Sequence, residues 1–90
     1  MKMYILILIL NTVPLGIAIT AAAHASLALY LEYSDTPHMQ DWVKHSFKKV
    51  VRKVSGSEFL AARTFEGCTV VIESALGGVR TALVFTPRPD

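Results

Sequence analysis

From Tyr4 to Leu10 the chain runs Tyr-Ile-Leu-Ile-Leu-Ile-Leu with no polar break. An apolar run of that length without alternation predicts a strand covered on both faces. Asn11, Pro14 and Gly16 then supply turn residues, and Pro14 fits the start of a helix. An Ala-rich run from about Ile17 to Tyr33, with scattered Leu and Ile, predicts a buried helix. Strand, turn and helix make the opening half of a βαβ unit.

Further along, Thr36 is a natural N-cap and Pro37 a natural first residue of a second helix. In it Met39, Trp42, Val43 and Phe47 recur at helical spacing, while Asp41, Lys44 and His45 face away. Phe47 to Val54 reads as a second strand, parallel to the first because a helical crossover separates them. Ser55 and Glu58 form a capping box for a third helix anchored by Phe59 and Leu60 and stopping near Gly67. Cys68–Glu73 and Thr81–Thr86 predict the last two strands, joined by the Gly-containing loop Ser74 to Arg80 and therefore antiparallel. Pro87 and Pro89 are expected to end the ordered structure. The expectation is an α/β fold: a mixed four-stranded sheet with helices packed on it, in the order β1-α1-α2-β2-α3-β3-β4.

Ninety residues, 52% of them hydrophobic and 18% charged, describe one folded domain spanning 1–90. The mean hydropathy of +0.43 is high for so short a chain. Either the core is unusually rich or a partner covers apolar surface, and the expectation is an oligomer. A net charge of +2 is too small to indicate nucleic acid by itself. The single cysteine, Cys68, argues for a reducing compartment and against a disulfide framework. No Cys/His cluster has metal-ligand spacing and no Gly-rich loop suits phosphate, so neither metal nor cofactor is expected.

The first thirty residues also fit two other patterns. Lys2, the apolar run and Ala23-His24-Ala25 match a secretory leader cleaved after Ala25, and Met3 to Leu31 is long enough to span a membrane. Removing residues 1–25 would strip the most apolar strand and leave about 65 residues around a marginal core. The expectation is therefore an intact cytoplasmic chain with no membrane partner.

Candidate chemistry is sparse. Thr20 and His24 lie four apart on the face that also carries Leu27 and Leu31. They sit toward the end of the helix nearest the loop after a strand, where α/β folds bind ligands. His24 is read either as a core histidine bonded to backbone or as a functional group. Lys48, Lys49, Arg52 and Lys53 form a basic cluster that either guards a solvated sheet edge or meets phosphates.

Four pieces together resemble the type II peptidyl-tRNA hydrolases, especially compact, divergent relatives. They are the opening strand Met-Lys-Met-Tyr-Ile-Leu-Ile with its Gly-containing turn; the Ala-rich helix with Ala23-His24-Ala25; Lys48 to Ser55 followed by Glu58 and Leu60; and Glu73 leading through a Gly-containing loop to Thr81-Ala82-Leu83. The resemblance implies the same fold, a dimer, and hydrolysis of the ester joining a peptide to the tRNA 3′ end. That reaction needs a positioned water, a group to take its proton and donors for the oxyanion. By this resemblance His24, Glu73 and Thr81 are the candidate catalytic residues. Thr20, Lys48, Lys49, Arg52 and Arg80 are the candidate tRNA-binding residues. The sequence departs where the family's helix carries Lys and then Gln: in register with Ala23-His24-Ala25, those positions hold Ile17 and Ala21. The implied alternative is a non-catalytic binding or assembly module on the same fold, with an RNA, protein or small-molecule partner.

Overall fold

Residues 3–73 and 78–89 are described by the structure, a computed structural model. The elements are β1 (Met3–Leu10), α1 (Leu15–Tyr33), α2 (Pro37–His45), β2 (Lys48–Val54), α3 (Gly56–Ala62), β3 (Cys68–Glu73) and β4 (Val79–Pro89). They build an α/β fold around one mixed sheet in the order β2-β1-β4-β3. β1 is parallel to β2 and antiparallel to β4, and β3 is antiparallel to β4.

β1 lies inside the sheet and is covered on both sides, as its unbroken apolar run requires. Ile5, Ile7 and Ile9 meet Ala18, Ala21, Ala25 and Leu29 of α1, with Met39 and Trp42 of α2. On the other face Leu8 joins Leu83 and Phe85 beneath Phe59 and Ala62 of α3. The small alanines let α1 approach the strands closely, while Leu29 fills the wider space further along.

Several expected details differ. α1 begins two residues early, with Pro14 at its N-cap, because Leu15 and Gly16 already have helical geometry. Its buried stripe is Ala18, Ala21, Ala25 and Leu29, so the face carrying Thr20, His24, Leu27 and Leu31 points to solvent. Phe47 belongs to neither α2 nor β2: it takes φ +63° at the turn between them and is 59% exposed. In α3, Phe59 is buried as expected, but Leu60 is exposed and Ala62 is the second anchor; the helix ends there, short of Gly67. β4 runs on through Pro87, which is buried where β4 slips register against β1. A proline fits that irregularity because a ladder N–H is not needed there. Gly67 has φ +73°, and a methyl group on it would collide with the Thr86 side chain, so the turn into β3 requires glycine.

The caps expected from sequence are present. The Thr36 hydroxyl accepts from the Met39 N–H, and Ser55 with Glu58 completes a capping box. Hydrogen bonds from Ser55, with Arg52 nearby, hold the Glu58 carboxyl below its ordinary range.

Candidate functional site

The structure distributes the expected site residues over different surfaces. His24 is exposed on the outer side of α1. Thr20 lies one turn before it, its hydroxyl donating to the Gly16 carbonyl at 3.2 Å. That back-bond to its own helix is the usual use of a mid-helix threonine. Ala21 is fully buried against the sheet and Ile17 half-buried, so both positions are part of the packing.

Thr81 is also fully buried. It is the extra residue where β4 slips against β3, since Val71 pairs with Ala82 and Ile72 with Arg80. Its hydroxyl donates to the Val71 carbonyl at 3.3 Å, beside the irregular pairing. That bond ties the two strands together at the bulge. Thr81→Val should therefore cost about 1 kcal/mol of stability, read by chemical denaturation, with the native fold kept. An unchanged midpoint would show that the hydroxyl has no part in holding the bulge.

Glu73 ends β3 opposite Val79; its side chain lies outside the described residues, as do residues 74–77 of the expected loop. By register, the end of β3, the start of β4 and the first turns of α1 meet at one end of the sheet.

The basic cluster sits on the edge strand β2, and all four cations are exposed. Register divides them. Val50 pairs with Leu6 and Val54 with Leu10, so Lys48 and Arg52 are on the side bearing α3. Lys49 and Lys53 alternate with Val51 on the side bearing α1. Lys49 is folded over Phe47, its Nζ 3.9 Å from the ring centroid, and donates to the Phe47 carbonyl.

Arg80 lies on the α3 side, across the sheet from His24. With Arg63 it lines a cleft of about 580 Å3 between α3 and the β3–β4 end, walled by Leu10, Phe59, Leu60 and Ile72. The two guanidinium groups are its only charged lining side chains among the described residues. Arg88 is on the same side of the sheet, its guanidinium 5.3 Å from the Phe85 ring and its Nε buried without a hydrogen-bond partner. Arg63 was missed because it follows a short helix with no basic neighbour in sequence; only α3's placement brings it beside Arg80.

The remaining polar chemistry offers little. Burial pushes the Cys68 thiol up, which disfavours the nucleophilic thiolate. Burial likewise raises the Tyr33 phenol, with Glu32 adding to the effect. Among the described residues no three His, Cys, Asp or Glu side chains gather as a metal ion requires. α1 has the length and hydropathy to cross a membrane by composition alone. Compared with known proteins, the chain matches no family model and no curated sequence.

Proposed function

We propose that this chain is a peptidyl-tRNA hydrolase-like protein that binds tRNA through its α3 face without cleaving the peptidyl ester. The observation that carries this reading is the cleft holding Arg63 and Arg80, whose wall has no carboxylate among the described residues. Lys48, Arg52 and Arg88 share that face, so phosphates along a curved backbone would meet cations over much of its width. Binding without cleavage follows from how the other groups are used. Thr81 is committed to Val71, Thr20 to its own helix, and His24 stands across the sheet from Arg80. A base, an oxyanion donor and a phosphate holder do not converge among these side chains.

Titrating labelled tRNA at about 50 and 200 mM salt tests this, because each phosphate contact contributes roughly 0.7–0.9 to the log–log slope. Arg63→Ala with Arg80→Ala should weaken binding at least about tenfold and flatten the slope by about two. Absence of binding at low salt would remove RNA as the partner. Peptide release at the rate of an authentic hydrolase assayed alongside would remove the binding-only reading.

A second reading, active ester hydrolysis, has one observation in its favour: the starts of α1 and β4 and the end of β3 come to one end of the sheet. In that case Glu73→Gln would abolish peptide release and leave tRNA affinity intact.

A further inference from the structure

The opposite face of the sheet carries an unfinished helical layer. α1 lies over β4, β3 and β1 and α2 crosses β4 and β1, while β2 meets this layer mainly at its start, where the Trp42 indole bonds to the Lys48 carbonyl. Strands are about 4.8 Å apart and packed helices about 8–10 Å, so a four-stranded sheet has room for two helices side by side. α2, whose Trp42 and Val43 also wall the first hollow below, reaches one end of the second position, and the length beside β2 is open. Two hollows of about 330 and 320 Å3 occupy it in line along α1. The first is walled by Leu27, Tyr30 and Phe47, and the second by Leu15, Ile19 and Val51. From Leu15 to Tyr30 the groove follows roughly 24 Å of helix, about four turns.

Its charge is one-sided. Lys49 and Lys53 on the β2 rim are the only charged side chains lining either hollow among the described residues, and no carboxylate faces them. Its end is strained. Phe47 is a bulky residue at positive φ, a conformation that costs energy, yet its ring remains largely exposed at the mouth of the groove. The ring stacks on Trp42 at 5.1 Å and carries Lys49 above it, which presents an apolar wall and a cation together.

We propose that this groove docks an amphipathic helix of a partner protein, apolar toward α1 and acidic toward β2. The partner helix lies beside α1 over β2 and completes the layer. Its apolar residues at i, i+4, i+7 and i+11 fill the two hollows, and its Glu or Asp side chains meet Lys49 and Lys53. The surface is distinct from the α3 face, so the proposal stands apart from RNA binding.

The test uses the full chain and two labelled helical peptides of about four turns. They have identical apolar positions and carry either Glu or Lys on the flanking positions. The Glu peptide should bind at least tenfold more tightly than the Lys peptide, and Lys49→Glu with Lys53→Glu should reverse that order. Leu27→Asp, at an exposed groove position, should weaken binding at least tenfold with the melting curve unchanged. Leu31→Asp, equally exposed but outside the groove, should leave affinity unchanged. Arg63→Ala with Arg80→Ala should also leave it unchanged. Equal binding of the two peptides, or indifference to Leu27→Asp, would overturn the proposal. So would sedimentation showing a dimer of this chain that Leu27→Asp dissociates and neither peptide displaces, because a second copy would then be the occupant. Binding to anionic lipid vesicles lost equally with Leu27→Asp and Leu31→Asp would overturn it in favour of a membrane surface.

Discussion

Ala21→Gln is expected to destabilise the protein by about 2–6 kcal/mol. Overpacking a tight site costs roughly 1–3 kcal/mol, and burying an amide without partners adds a similar amount. Ala21 is fully buried between α1 and the sheet, within the cluster that includes Ile7 and Val84. The total stability of a 90-residue domain is only about 5–13 kcal/mol, so a large fraction would be lost. Ile17→Lys is the useful companion. Ile17 is half-buried near the helix start, and a lysine there can lay its stem along the surface and keep its ammonium in water. Its cost should stay below about 1 kcal/mol. Urea unfolding of both variants decides the matter. If Ala21→Gln unfolds at the wild-type midpoint, the position has room for a polar group, and its apolar character here is not a packing requirement.

Trp42→Ala should cost about 3–5 kcal/mol and disorganise the β2 side of the α1 face. Trp42 is almost completely buried, and its indole N–H donates to the Lys48 carbonyl at 2.7 Å. It stacks on Phe47 with the rings 17° apart, and its carbonyl accepts from the N–H groups of Ser46 and Phe47. One residue thus ties the end of α2 to the start of β2 and supports the strained Phe47. Trp42→Phe keeps most of the ring packing and loses the indole hydrogen bond, so its cost should be nearer 1–2 kcal/mol. Circular dichroism melts would measure both. Equal destabilisation by the two variants would mean that the hydrogen bond, rather than the ring, carries the connection.

Much of the secondary structure was legible in the chain. The run Tyr4 to Leu10, the Thr36-Pro37 start of α2, the Ser55–Glu58 box and the limits of β3 all follow from local chemistry, and the structure contains each of them. The element order and the parallel pairing of β1 with β2 followed from crossover geometry. The exposed side of α1 was less legible. In an Ala-rich helix with apolar residues on every side, periodicity does not mark which stripe meets the sheet. The face bearing Thr20 and His24 was expected to continue into an apolar surface, and Leu27 and Leu31 do lie on it, but all four are exposed. Pro87 misled in a similar way: a proline reads as a stop unless a register slip elsewhere removes the need for its N–H.

The candidate sites were less legible than the elements. Arg80 gained a partner in Arg63, and the basic strand was divided between two faces, because strand register and helix placement decide which charges share a surface. The burial of Thr81 and its bond to the Val71 carbonyl were equally hidden, because they depend on β4 carrying one residue too many opposite β3. The sequence by itself determined the strands, the caps and the α/β class, since these depend on side chains a few positions apart. Only the tertiary structure decided which residues become neighbours across the sheet, left a groove between α1 and β2, and separated a cationic face from an apolar one. Those outcomes depend on how whole elements pack, and no local pattern encodes the side to which a second helix would be added.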